Sequence, residues 1–341
     1  MKPATQDDIH DLLAGHITSA ALGAALELGL FWLLAEKPMD VERVARELSI
    51  PVNRCRYWLQ LMHGIGLLER TPGGYAPSAT ARSAILDAYG RETWALLAEE
   101  ERERFPAILN LAVHMREPRS VWEAEGRVAP DYFAQLVESP ARARRFTRML
   151  YEIHLPLACR LRDFLEMDGV RRMMDLGGGS GVVSLALVER YHGLTSVVVD
   201  VSNVCAAGRE IAGEKPGGER VSYHEADFVR DELPAGFDMV LECDVGVCSE
   251  ALFRKVHTVL NPGGRLVIVD QFAAPDGEVS PSRIQWEFRN SMVNPNSALR
   301  TVADIRALLG KTGYRVLSTR VLPAGAPRRW TGGWQVIEAG V

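Results

Sequence analysis

The strongest chemical signal in the sequence is MMDLGGGSGVVSLAL, an apolar run ending in Asp175, a turn carrying Gly177, Gly178, Gly179 and Gly181, and the start of a helical pattern. Glycine suits a turn that takes positive φ, or one that must let a ligand meet the backbone with no Cβ in the way. Such a turn is shared by nucleotide enzymes and by tight structural turns. Val182 stands where the dinucleotide pattern G-x-G-x-x-G needs its last glycine, so that pattern is not met.

Two further strand ends add polar groups. Asp200 closes TSVVVDV about 20 residues beyond the turn, the spacing at which a carboxylate accepts hydrogen bonds from ribose hydroxyls. Its competing role is to cap a helix beginning near Val204, for which Ser202 and Asn203 are also available. HEADFVRDEL then sets Asp227 and Phe228 after a third strand, a carboxylate for the adenine amino group and an aromatic ring for its face.

The elements that must position these groups change character along the chain. From Val170 the β-branched runs RRMMDL, TSVVVDV, ERVSYHE, FDMVLEC and GRLVIVDQF alternate with helical segments, which predicts a parallel sheet covered on both faces and a ligand crevice at the strands' carboxyl edge. TGYRVLSTRVL and GGWQVIEA form a closing antiparallel pair, and Ala273 to Pro281 is a loop after the fifth strand. From Ile9 to about Asp168 the apolar spacing is helical. One long helix spans Ile9 to Leu34, nearly uncharged from Ile17 on and in need of cover on most sides. Two short helices with Asp40 and Asn53 as caps and the turn TPGGY complete a winged-helix layout. The domains are therefore 1–168 and 169–341.

Charge bears on what a winged helix could bind. Residues 1–85 hold eight Lys or Arg against nine Asp or Glu, and the whole chain has a net charge of -5 and a pI of about 6.0. A phosphate-tracking domain is normally clearly basic, so neither nucleic acid nor an anionic membrane is an expected partner. A hydrophobic fraction of 47% in 341 residues excludes general disorder and suffices for about two cores. No apolar stretch is long enough to span a bilayer, and the start lacks a signal peptide's order, so the expected location is cytoplasmic. Cys55, Cys159, Cys205, Cys243 and Cys248 are scattered and odd in number, pointing to reduced thiols. Cys243, Cys248 and His257 match no zinc spacing, and no metal is expected.

DLGGGSG, VVVDV, ADF, FDMVLE and NPGGRLVIVDQ in series resemble a class I S-adenosylmethionine-dependent methyltransferase. With the winged-helix-like first half, the chain resembles the small-molecule O-methyltransferases related to the caffeate and phenazine enzymes, over nearly its whole length. The resemblance implies an α/β fold, a Rossmann-like domain with a mostly parallel seven-stranded sheet, preceded by a helical dimerisation and substrate-lid domain. It further implies a homodimer and a small, aromatic or hydrophobic acceptor. By similarity Gly177 and Gly179 approach the cofactor, Asp200 binds ribose, and Asp227 with Phe228 holds adenine. The candidate cofactor set is Asp175, Gly177, Gly178, Gly179, Asp200, Val201, Asp227, Phe228, Glu242 and Cys243. Phe146, Met149, Leu150, Ile153, Trp286 and Met292 are candidates for the acceptor pocket, with ordinary core the competing role for the stripe from 146 to 153.

The sequence departs from that family where the family carries its base. Val247 occupies the position of the catalytic His, Leu299 that of the Glu that steadies it, and Cys243 that of a common Lys. Substitute candidates are Asp244 at a strand end and His154 on RRFTRMLYEIHLPLA. Methyl transfer can proceed by alignment alone, so a missing His is compatible with catalysis on an O, C or N acceptor. The alternatives are a fold redirected to hydroxylation, decarboxylation or cyclisation, and a winged-helix regulator bound to DNA.

Overall fold

The computed structural model describes residues 3–128, 131–274, 276, 277, 279, 283–323, 325 and 333–341. The chain forms two compact units, Met1–Asn110 and Leu111–Val341. The first holds α1 (Gln6–Glu27), α2 (Leu30–Glu36), α3 (Val41–Glu47), α4 (Val52–Gly64), the hairpin β1 (Leu68–Thr71) and β2 (Gly74–Pro77), α5 (Ala79–Ala81) and α6 (Arg91–Ile108). Thr5 and Asp8 close a capping box at the start of α1. The run expected as one helix is two: Gly29 takes φ 74°, which only glycine adopts at little cost, and the chain bends there by 57°. Asp40 caps α3 as expected, accepting from the Arg43 N–H at 2.8 Å. Asn53 does not cap α4, because Pro51 takes the cap position and Asn53 falls within the first turn.

Phe31, Leu34, Leu59 and Met62 fill the core of this unit. Ile9, Leu12, Leu13 and Ile17 of α1 point into solvent, 47 to 71% exposed, so a face of α1 is left uncovered within the unit. Among the described residues no single helix is long and apolar enough to cross a membrane.

The second unit begins with α7 (Leu111–His114), α8 (Val121–Ala124), α9 (Tyr132–Glu138) and the long α10 (Pro140–Phe164). Next come β3 (Arg172–Leu176), α11 (Val182–Arg190), β4 (Thr195–Asp200), α12 (Ser202–Gly213), β5 (Val221–Glu225), β6 (Phe237–Cys243), α13 (Glu250–Val259) and β7 (Leu260–Asp270). It closes with α14 (Ile284–Val293), α15 (Val302–Lys311), β8 (Arg315–Val321) and β9 (Gln335–Gly340). The seven strands lie in the order β5-β4-β3-β6-β7-β9-β8; β3 to β7 are parallel, and β9 runs antiparallel to both its neighbours. The late pair therefore forms as the sequence indicated. Gly332, which opened the second segment, and 275, 278, 280 and 281 of the expected loop lie outside the described residues.

Residues 111–168, which the sequence grouped with the first domain, are part of the sheet unit. The reason is packing: Leu157, Ala158 and Leu161 of α10 share one core with Val182, Leu185 and Ala186 of α11. A second core lies on the other face, with Phe253 and Val256 of α13 and Ile305 and Leu309 of α15 against Val240 and Ile268. β3 pairs with β4 on one side and with β6 on the other, so the strand order reverses there and a crevice opens beyond its carboxyl end.

Candidate functional site

The glycine-rich turn leaves β3 at that crevice. Gly177 and Gly179 take φ 65° and 56°, the left-handed region that an L side chain adopts only with strain. Space beside Gly179 is open, with no atom within 4 Å of where a Cβ would stand. Beside Gly177 a Cβ would come 3.0 Å from Val245 and 3.3 Å from the Phe228 ring, so both side chains lie close to the turn.

Asp200 is half-buried at the end of β4 and accepts from the Gly179 N–H at 3.0 Å through Oδ2 and from the Val201 N–H at 2.8 Å through Oδ1. It therefore ties the turn to β4, and each oxygen keeps a further acceptor lone pair. Burial raises its pKa against the opposing pull of those two amides. It does not cap α12; the cap position is Val201, without a side-chain bond, and Asn203 donates instead to the carbonyls of Leu136 and Val137. Asp227 accepts from the Val229 N–H at 3.0 Å, and Lys255 of α13 donates to the carbonyls of Phe228, Val229 and Asp231 at 3.0, 2.9 and 2.7 Å. The segment carrying Asp227 and Phe228 is thus held by an ammonium that the sequence gave no reason to single out.

Two members of the expected cofactor set turn inward. Asp175 is 1% exposed, accepts from Ser184 Oγ at 2.6 Å, and has its carboxylate under Gly178, where a Cβ would lie 2.5 Å from it. Burial pushes its pKa up to about 6, against the bonds from Ser184. Its role is to brace the turn from below. Glu242 lies in register between Leu176 and Ile268 and faces the same core as they do, since alternation along β6 sends Met239 and Leu241 to the opposite face. It is 2% exposed, neither carboxylate oxygen has a hydrogen-bond partner, and burial with the nearby Asp270 charge pushes its pKa up to about 8. Cys243 is half-buried, and burial holds its thiol well above the usual range.

The two substitute-base candidates, 90 residues apart, are brought together. His154 Nε2 lies 3.2 Å from Asp244 Oδ2, and His154 Nδ1 lies 3.0 Å from the Leu150 carbonyl. Val247 and Cys248 pack against the second core instead. Of the expected acceptor wall, Met149 and Ile153 are buried, Phe146 and Leu150 are half-buried, Met292 is buried, and Trp286 is exposed with the Arg289 guanidinium 4.2 Å above its ring. Arg283, just before α14, pairs with Asp270 at 3.6 Å and with Glu287 at 2.5 Å, fixing the start of that helix to the end of β7. Sequence reading missed Ser184, Lys255, Asp270 and Arg283; only Asp270, an acid closing LVIVD, carried a visible signal. Among the described residues no group of three or more His, Cys, Asp or Glu side chains could hold a metal ion.

Comparison with known proteins agrees with this architecture. Residues 108–315 match the model of an O-methyltransferase domain, and residues 10–86 that of an O-methyltransferase dimerisation domain. The chain is 31% identical over 276 residues to a 3-hydroxy-5-methyl-1-naphthoate 3-O-methyltransferase of Streptomyces sahachiroi, covering 80% of this chain and 78% of that one. It is 27% identical over 320 residues to the acetylserotonin O-methyltransferase of Bos taurus, covering 90% and 91%. The fold matches the crystal structure of human N-acetylserotonin methyltransferase in complex with SAM, with a TM-score of 0.79 at 22% identity over 100% of this chain and 99% of that one. A turn, two acidic strand ends and an aromatic at one sheet edge, in a chain most of which matches the family model, make this protein a member of the S-adenosylmethionine-dependent O-methyltransferase family.

Proposed function

We propose that the enzyme methylates a hydroxyl of a small, flat, hydrophobic metabolite, and that it does so as a homodimer. The observation that carries this reading is the assembly of Gly177, Gly179, Asp200, Asp227 and Phe228 at one carboxyl edge of the sheet. These residues fit S-adenosylmethionine by their chemistry: open backbone at Gly179, acceptor lone pairs on Asp200 for ribose hydroxyls, and Asp227 with the Phe228 ring for adenine. When bound, the cofactor supplies an electrophilic methyl group on a positively charged sulfur.

One contribution of the chain is alignment. The amide of Gly179 orients Asp200, Lys255 holds the Phe228 segment, and the partly exposed Phe146, Leu150 and Trp286 offer apolar surface for an acceptor. Holding the reacting atoms about 3 to 3.5 Å apart in line can supply several kcal/mol of the barrier. The solvent-facing Ile9, Leu12, Leu13 and Ile17 of α1, within a region that matches a dimerisation domain, support the homodimer.

Incubation of purified protein with S-adenosylmethionine and a panel of naphthols, hydroxynaphthoates and hydroxyindoles tests the reading. The expected result is S-adenosylhomocysteine together with an acceptor heavier by one methylene equivalent. Acceptors hydroxylated, decarboxylated or cyclised without methylation would overturn it in favour of redirected chemistry.

A further inference from the structure

We propose that Asp244 receives the acceptor's proton during methyl transfer and that His154, as an imidazolium, is its positioning residue; this rests on the methyltransferase reading above. The geometry favours the charged form of the histidine. Both ring nitrogens face oxygen acceptors, the Leu150 carbonyl at 3.0 Å and Asp244 Oδ2 at 3.2 Å, and a neutral ring has only one N–H to give. The doubly protonated ring satisfies both. Burial opposes that charge, and the bond and charge of Asp244 with the Leu150 carbonyl outweigh it, so the pKa of His154 is raised above 6.5.

The pair is asymmetric in access. The His154 side chain is 14% exposed and the Asp244 side chain 38%. Asp244 Oδ1 accepts no hydrogen bond from the described residues. The backbone turns at Asp244 with φ 58°, a left-handed conformation that Asp tolerates better than most residues. Its N–H is fixed to the Val269 carbonyl at 2.9 Å. The next residue, Val245, packs at Gly177, while His154 follows Met149, Leu150 and Ile153 on α10. Asp244 thus follows β6 next to the residue beside the turn, and its carboxylate meets the helix that carries the expected acceptor wall. Other charged or titratable groups near the pair are Cys243, buried Glu242, and Asp270 with Arg283 and Glu287.

The step balances as follows. The acceptor oxygen forms a bond to the methyl carbon, the carbon–sulfur bond breaks with its electron pair retained by sulfur, and the acceptor O–H proton passes to Asp244 Oδ1. A carboxylate is a weak base for a free phenol, but the O–H becomes far more acidic as the new bond forms. The imidazolium keeps both its protons throughout and holds the carboxylate by a charge-assisted bond. Asp244 then loses the proton to solvent.

Three variants and two readouts test the pair. Asp244→Asn should cut kcat by 10²-fold or more on neutral phenols, with S-adenosylmethionine affinity unchanged and a much smaller loss on acceptors already ionised at the assay pH. His154→Gln, which keeps a donor without the charge, should retain more activity than His154→Ala. The second readout needs neither acceptor nor cofactor: NMR titration of His154, assigned through His154→Gln, should give a pKa above 6.5 that falls in Asp244→Asn. Equal losses on neutral and ionised acceptors, or an unshifted His154 titration in Asp244→Asn, would overturn the proposal. Wild-type protein that methylates no acceptor counts against the proposed function, and the titration then decides the pair alone.

Discussion

Replacing Glu242 by Gln should stabilise the protein at alkaline pH and leave it nearly unchanged in acid. Glu242 is 2% exposed, has no hydrogen-bond partner on either oxygen, and has a pKa of about 8 against 4.5 in the unfolded chain. Because the folded value is the higher one, the folded state keeps a proton that the unfolded chain has already released. The contribution of Glu242 to stability is then most favourable below pH 4.5 and declines as pH rises until about 8. Each pH unit in that window costs about 1.4 kcal/mol, or about 5 kcal/mol over the whole interval. Gln is of similar size and never ionises, so the variant lacks this slope. Urea unfolding of both proteins from pH 4.5 to 9 should show the stability difference growing to about 2 kcal/mol by pH 6 and levelling near 5 kcal/mol above pH 8. A difference that stays flat from pH 5 to 9 would mean that the carboxyl ionises normally, and the burial argument would be wrong.

Three other perturbations probe the site and its support. Asp200→Ala removes bonds to the turn as well as those proposed to ribose, and should weaken S-adenosylmethionine by roughly 1.5 to 3 kcal/mol in calorimetry; unchanged affinity would remove Asp200 from the cofactor site. Gly208→Ala would set a Cβ 2.3 Å from the Tyr223 ring and 3.0 Å from the Gly179 carbonyl. Displacing Tyr223, whose hydroxyl donates to the Ser180 carbonyl at 2.9 Å, should disturb the turn and lower cofactor affinity at least tenfold, a loss that Gly213→Ala, with open space around it, should not cause. Leu12→Asp with Leu13→Asp should convert a homodimer into monomers in light scattering; a dimer that survives both would place the interface elsewhere.

Much of the fold was legible because it depends on local pattern. β-branched runs alternating with helical segments announce a parallel sheet, and a glycine turn with acidic strand ends marks its carboxyl edge, since both follow from backbone geometry and strand periodicity. The capping of α3 by Asp40 was legible for the same reason. The break at Gly29 was missed because a glycine in an apolar helical run is compatible with an unbroken helix until its φ is known.

The domain division and the orientation of single side chains were decided in three dimensions. A helical pattern does not tell which core a helix joins, and α10 joins the sheet because Leu157, Ala158 and Leu161 find their partners on α11. An acid near a strand end can face either way, and one step of register sends Glu242 into a core where its carboxyl has no partner. The sequence identified Asp244 and His154 as separate ionisable groups. Only the crossing of α10 near the end of β6 brings them to 3.2 Å, because hydrogen bonding between residues 90 positions apart depends on tertiary packing and has no local signature.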